Sequence, residues 1–322
     1  MKLLLVDPLP PSLVESMRSE IPQGHQLEAV AGPTEEEFLS MATDADVFLV
    51  VHRRIDRRVL DTARRLRFVQ RFGVGYDNID LGAARERGVT VAYTPGANAY
   101  AVAEHTVMLI LALMKRLSLA AEETRAGHWP FGDFVALGVP DLADATVGLV
   151  GMGQIARAVS VRLRPFGCRV RYYSRHRRPP EEESALEVSY LDLDELLLGS
   201  DVVSTHLPLT PETRGIFGRG AFARMSRGAI FINTARGELV DEEALYDAVA
   251  SGHLAGAGLD VLAHEGEGGN VFADLPQVVV TPHYAGVTRG AQRRIQRMGL
   301  GNVLRFIAGE RPEHVLVDGA GS

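Results

Sequence analysis

The chain of 322 residues has one cysteine and one tryptophan. Cys168 alone makes neither an intrachain disulfide nor a cysteine-based zinc site, so no metal centre is expected, and nothing points to an oxidising compartment. Lysine is nearly missing. Lys2 and Lys115 are the only two, so almost all of the 34 basic residues are arginine, a bias that reads as genome composition. There is no surplus of positive charge either: the net charge is −7, which argues against nucleic acid or an anionic membrane as main partner. The longest apolar run, Val107–Met114, has eight residues, too few to span a bilayer. The apolar start Met1–Val6 is ended by Asp7 and Pro8, far short of a signal peptide, so a cytoplasmic location is expected. What is there is 46% hydrophobic and 23% charged, ordinary for a soluble globular protein and long enough for two cores.

The most informative stretch is Thr146–Ala156, TVGLVGMGQIA. A short β-rich run stops at Gly151, Gly153 follows, and Ala156 opens a helical pattern over Ile155–Leu163. This is G-x-G-x-x-A in the strand–turn–helix context of a dinucleotide fold. Gly151 permits the tight turn, Gly153 lets a pyrophosphate approach the backbone, and Ala156 lets helix and strand pack closely. The helix N-terminus supplies unpaired N–H groups for the phosphates.

Strand-like runs alternate with helical segments along the chain. Leu3–Val6, Val47–Val51 and Phe68–Arg71 precede the glycine turn. Thr146–Val150, Val170–Tyr173, Val202–His206, Ile230–Asn233, Ala257–Leu259 and Val278–Thr281 follow. This spacing means α/β with parallel, doubly wound sheets, in two Rossmann-like domains. A mid-chain nucleotide motif implies that the nucleotide domain, 100–288, is inserted in a substrate domain built from 1–99 and 289–322. Residues 99–125 read as one long helix, apolar nearly all round in its first half and therefore buried between domains or subunits. Residues 127–145 read as an extended loop. The last 35 residues read as a helix ending near Gly309, then a tail.

About 20 residues past the fingerprint, an NAD-binding fold carries an acid for the ribose 2′-OH. Here that place is Ser174, followed by Arg175, His176, Arg177 and Arg178. A hydroxyl and a guanidinium suit a 2′-phosphate, so NADP is expected to be preferred over NAD.

Three segments place reactive side chains where strands end, at the edge where open α/β sheets bind ligands. Arg236 follows the run ending at Asn233, Asp260 and Glu265 follow Leu259, and His283 follows Thr281. An Arg, a Glu and a His at neighbouring strand ends can converge on one cleft.

At this point the chain resembles the D-isomer-specific 2-hydroxyacid dehydrogenase family. The motifs are RFGVGYDNID (71–80), TPGANAYAVAEHT (94–106), GLVGMGQIA (148–156), HLPLTPETRG (206–215), INTARGELVDEEAL (232–245), GLDV (258–261) and TPHYAG (281–286). YYSR (172–175) resembles the glyoxylate or hydroxypyruvate reductase branch. The resemblance implies that Arg236 binds the substrate carboxylate and polarises the carbonyl. It implies that His283 is the general acid and that Glu265 hydrogen-bonds its far ring nitrogen, an arrangement that favours imidazolium. Asp260 is similar to the residue that holds the nicotinamide carboxamide. Gln154 and Ile155 are implied at the pyrophosphate, and Leu207, Pro208 and Thr213 on the adenosine side. Thr106, Thr234, Ala235 and Gly286 are implied as further cofactor contacts. Val74 and Gly75 are implied to offer N–H groups to the substrate carboxylate.

The substrate expected is a small 2-oxoacid, and the assembly a homodimer. Ala156 replaces the third glycine, Ser174 the acid, and Gly266 a proline that often follows the catalytic Glu, in a loop, 263–275, that looks slightly compressed. The chain's end disfavours the longer, serine-regulated phosphoglycerate dehydrogenases. Two other readings stay open: oxidation of another small oxyanion such as phosphite, and a redox-sensing binding protein. Glu265 disfavours the formate enzymes, which carry Gln there, and the intact Arg236, Glu265 and His283 disfavour the binding protein.

Overall fold

The structure is a computed structural model; it describes residues 1–32, 34–266 and 270–319. The chain forms two compact units, one from residues 1–98 with 289–322 and one from 99–288.

In the first unit β1 (Lys2–Leu5), β2 (Gln26–Ala29), β3 (Val47–Val50), β4 (Phe68–Arg71) and β5 (Thr90–Ala92) are parallel, and β13 (Val315–Val317) runs antiparallel to β5. The order is β13-β5-β4-β3-β1-β2. Successive strand residues point to opposite faces, and both faces are buried. Leu4, Val6, Phe48 and Val50 belong to one core, Leu3, Leu5, Val47 and Leu49 to the other. Strands covered on both faces are continuously apolar, as Val47–Val50 shows. Between β1 and β3 the Asp7 carboxylate accepts the amide N–H groups of Val51, His52 and Arg53 at 2.6, 3.0 and 2.7 Å, which fixes the loop after β3.

The second unit has seven parallel strands: β6 (Thr146–Val150), β7 (Arg169–Tyr173), β8 (Val188–Tyr190), β9 (Val202–Thr205), β10 (Ile230–Asn233), β11 (Gly256–Leu259) and β12 (Val278–Val280). Their order, β12-β11-β10-β9-β6-β7-β8, reverses direction between β6 and β9. Its cores again lie on both faces, one with Leu149, Tyr172 and Ile232, the other with Val150, Val203 and Phe231. The doubly wound α/β class expected from the sequence is the one observed.

Several local readings need correction. The single helix over 99–125 is two, Ala99–Met114 and Leu117–Arg125, because Arg116 between them has φ +48°, which no helix continues through. The region 127–145 is not wholly extended: Phe131–Leu137 is a helix closed by Gly138 at φ +65°. The tail after the helix Arg289–Ile307 returns as β13 to pair with β5. β2, β5 and β8 are short and broken by polar residues, Gln26 and Glu28, Thr90, and Ser189, so no apolar run reveals them. Among the described residues no helix is long and apolar enough to cross a membrane.

Candidate active site

β6 ends at Val150, and the chain turns at Gly151 with φ +101°. A Cβ there would stand 2.8 Å from the His206 carbonyl oxygen, so only glycine fits between β6 and the end of β9. This is the point where strand order reverses, and open sheets bind ligands there. Gly153 caps the helix Gln154–Leu163 without a side-chain acceptor, and a Cβ on it would meet nothing within 4 Å. Backbone open at that place and helix N–H groups aimed outward fit a dinucleotide pyrophosphate. Gln154 is exposed and Ile155 half-buried at the same helix start, while Ala156 is fully buried. His206, which the sequence reading passed over, has its ring Nε2 3.0 Å from Ser204 Oγ. Burial lowers its pKa to about 4, so a neutral imidazole flanks the turn.

The carboxyl end of β7, expected to meet the ribose, is more constrained than its charges suggested. Ser174 donates its hydroxyl proton to the His176 carbonyl at 2.7 Å. Arg177 is paired with Glu183 through both Nε and Nη2, each at 2.9 Å. Arg178 donates from Nη2 to the Met152 carbonyl at 2.9 Å, and from its backbone N–H to Tyr172 Oη at 2.7 Å. Arg175 is exposed; the Thr210 hydrogen bond first, a backbone hydrogen bond next and the Arg175 charge last hold the Glu212 carboxyl below its ordinary value. Leu207, expected on the adenosine side, is half-buried and Pro208 exposed. Thr213 closes that turn on itself, donating to the Pro208 carbonyl at 2.7 Å and accepting from Thr210 N–H at 2.8 Å.

The chemical groups converge at the ends of β10, β11 and β12. Asn233, the last residue of β10, braces the Thr234–Arg236 loop, accepting from Ala235 N–H at 3.0 Å and donating to the Arg236 carbonyl at 2.8 Å. Thr234 Oγ1 meets Thr106 Oγ1 at 3.0 Å. Gly237 carries no Cβ because one would overlap the backbone of Leu262 and Ala263, and this contact brings the Arg236 loop against the Glu265 loop. Glu265 Oε2 lies 2.8 Å from His283 Nδ1, both side chains 44% exposed. Burial raises the Glu265 pKa, but the His283 hydrogen bond and the charges of His283 and Arg236 outweigh it and hold the carboxyl below its ordinary value. A cavity of about 450 Å³ opens here, lined by Leu262, His264, Glu265, Asn270, Pro282 and His283 among others. Residues 267–269 of the 263–275 loop lie outside the described residues.

Asp260 sits under this constellation, 1% exposed. Its Oδ1 accepts from Thr281 Oγ1 at 2.6 Å and Tyr284 N–H at 3.1 Å, and its Oδ2 from Ala285 N–H at 2.9 Å. Its backbone carbonyl takes His283 N–H at 2.8 Å. His283 itself has φ +50°, a left-handed backbone that a non-glycine residue holds only when neighbours fix it. His105 joins the network, with Nε2 3.0 Å from Thr281 Oγ1; burial lowers its pKa against the opposing pull of Asp260. Neither His105 nor Asn233 stood out in the sequence, where each reads as an ordinary core polar residue. Gly286 is half-buried just beyond this loop. In the other unit Val74 and Gly75 are half-buried in the loop after β4, and among the described residues their N–H groups find no acceptor.

A dinucleotide turn with an Arg–Glu–His set on neighbouring strand ends defines a nicotinamide-type dehydrogenase fold. The chain belongs to the D-isomer specific 2-hydroxyacid dehydrogenase family, whose NAD binding domain model matches residues 107–285. It is similar to the D-3-phosphoglycerate dehydrogenase of Mycobacterium leprae, 38% identical over 318 residues, which is 98% of this chain and 59% of that relative's length. It is similar to the glyoxylate reductase of Thermofilum pendens, 39% identical over 284 residues, 87% of this chain and 84% of that one. Among solved structures, a Thermus thermophilus protein matches with a TM-score of 0.88 at 38% identity, covering 98% of this chain and 100% of that one.

Proposed function

We propose that the chain reduces a small 2-oxoacid of the glyoxylate or hydroxypyruvate type to the D-2-hydroxyacid. NADPH is the preferred cofactor, with NADH the alternative. The observation that carries this reading is the Glu265–His283 contact at 2.8 Å with Arg236 close enough to act on the same carboxyl. A nicotinamide cofactor, if held along this edge by the glycine turn and its helix, would supply the hydride for the substrate carbonyl carbon. His283, oriented through Nδ1 by Glu265, gives its proton to the carbonyl oxygen. Arg236 holds the substrate carboxylate and polarises the carbonyl with a planar guanidinium. We assign the N–H groups of Val74 and Gly75 to binding of a substrate carboxylate, and Gly151, Gly153, Gln154 and Ile155 to the pyrophosphate. Ser174 and Arg175 take the adenosine ribose. Thr106, Thr234, Ala235 and Gly286 complete the cofactor edge through the backbone they order.

The working form is proposed to be a homodimer. The helices Leu117–Arg125 and Phe131–Leu137 contain no buried residue, and Trp129 and Phe131 are 82% and 72% exposed. Two consecutive helices with no core of their own and an apolar surface of this kind need a cover, and a second copy of the chain supplies it. A monomer mass by light scattering at micromolar concentration would remove this part.

The test of function is oxidation of NADPH and NADH with glyoxylate, hydroxypyruvate, pyruvate, phenylpyruvate and 3-phosphohydroxypyruvate. Turnover of a small 2-oxoacid, faster with NADPH, is expected. Turnover with 3-phosphohydroxypyruvate alone would move the substrate to the phosphorylated class, and a kcat/KM ratio below one for NADPH over NADH would reverse the cofactor assignment.

A further inference from the structure

The loop Ser174–Pro179, at the carboxyl end of β7, is closed by a small network that runs from the buried Tyr172 to the exposed Arg177. Tyr172 is fully buried and donates its hydroxyl to Glu183 Oε1 at 2.7 Å. Glu183, on the helix Pro180–Leu186 and 9% exposed, receives Arg177 in a two-point ion pair. The Arg177 guanidinium also lies 5.6 Å from the Tyr190 ring centroid, and Tyr190 packs edge-on against Tyr172. Tyr172 Oη in turn accepts the backbone N–H of Arg178, whose guanidinium reaches the Met152 carbonyl inside the glycine turn. Charge and hydrogen bonding are strongly matched. Burial and the Glu183 contact push the Tyr172 phenol up to about 12, and Arg177 with Tyr172 pulls Glu183 down to about 2.

This network changes what the basic run can do. Arg177 is neutralised by Glu183 and Arg178 is tied to the glycine turn. Arg175 and Arg177 are both exposed, but Arg177 is held by its ion pair, which leaves Arg175 as the exposed guanidinium outside this network, on a loop fastened at both ends. A guanidinium on a preset backbone loses less freedom on binding a phosphate than one on a loose loop.

We propose that Tyr172, Glu183 and Arg177 form a positioning clamp that confines recognition of a 2′-phosphate to Arg175, so that residues that do not touch the cofactor strengthen the discrimination that Arg175 makes. The proposal rests on the reading of the β7 end as the ribose site.

The test is binding of adenosine 2′,5′-bisphosphate and of 5′-AMP to the full chain by calorimetry. Wild type should prefer the bisphosphate by about tenfold or more, as one added charge-assisted contact gives. Tyr172→Phe leaves Arg177 on Glu183 and should lower that preference by about threefold or more, with 5′-AMP affinity nearly unchanged. Arg175→Gln should abolish the preference, and adding Tyr172→Phe to it should change nothing further, the mark of coupled residues. Glu183→Gln keeps an acceptor for Tyr172 and serves if the phenylalanine variant does not fold; it too should lower the preference. A preference intact in both variants, or an equal loss for both ligands, overturns the clamp. A higher preference in Glu183→Gln means that released Arg177 reaches the phosphate itself, and also overturns it. A wild type without preference, unmoved by Arg175→Gln, overturns the ribose assignment itself.

Discussion

Asp260→Asn probes how the site is held. The carboxylate has two oxygens facing three donors: Thr281 Oγ1 and Tyr284 N–H on Oδ1, Ala285 N–H on Oδ2. An asparagine has one acceptor oxygen. Placed on the Oδ1 side it keeps two contacts without the charge and turns its NH₂ toward the Ala285 N–H, two donors face to face. The loss is one charge-assisted hydrogen bond and the strengthening that the charge gives the others, with a buried N–H left unpaired. Each such loss costs about 1–3 kcal/mol, and because the mutant side chain keeps two partners the net is about 2–4 kcal/mol. For a unit of this size that lowers the thermal midpoint by about 4–15 °C. The loop released is the one that holds His283 at φ +50°, so kcat should also fall, by up to about 10²-fold for a displacement near 1 Å. Calorimetric scans and steady-state kinetics on one preparation read both. A midpoint within about 1 °C of wild type, with unchanged kcat, would refute the argument that the Asp260 charge organises the loop.

Three further outcomes follow from the same geometry. His283→Ala should lower kcat for reduction by about 10²–10⁴-fold, the range for losing a general acid, with cofactor binding nearly intact; near wild-type turnover would rule His283 out as the acid. Arg236→Lys should raise KM and lower kcat despite keeping the charge, since an ammonium does not reproduce a two-point planar clamp, and unchanged kinetics would make Arg236 structural. Glu183 has its pKa depressed in the folded state to about 2 from an ordinary 4.5. Its contribution to stability is therefore complete above pH 4.5 and lost as pH falls toward 2; Glu183→Gln should flatten part of that acid limb in denaturant titrations, and an unaltered limb would contradict the ion pair.

The parts of this architecture that were legible are those written in contiguous residues. The turn at Gly151 needs only its local spacing and the β-rich run before it. The strands β3, β6 and β10 show because burial on both faces leaves apolar runs, Val47–Val50, Val147–Val150 and Ile230–Ile232. The break at Lys115–Arg116 was hidden, since both residues are good helix formers and only the left-handed φ of Arg116 separates the helices. β13 was hidden because its stability comes from pairing with β5 more than 200 residues away. At the site, Arg236, Glu265 and His283 were visible as types at strand ends, while their mutual roles came from family resemblance. Glu183 was hidden in the run Glu181–Glu183, whose spacing suggests a solvated face, and only the approach of Tyr172 and Arg177 singles it out. The same contacts pair Arg177 with Glu183, where charge alone had put it at the ribose end.

The central claim is that one nicotinamide-dependent reduction runs through His283. The most direct test is loss of reduced nicotinamide absorbance with glyoxylate and hydroxypyruvate, measured for wild type and for His283→Ala side by side. The account predicts substrate-dependent oxidation by the wild type, with D-2-hydroxyacid formed in equal amount, and a loss of about 10²-fold or more in the variant. Silence of the wild type with every 2-oxoacid on the panel, while the nucleotide still binds, would contradict it and favour a nucleotide-sensing binding protein.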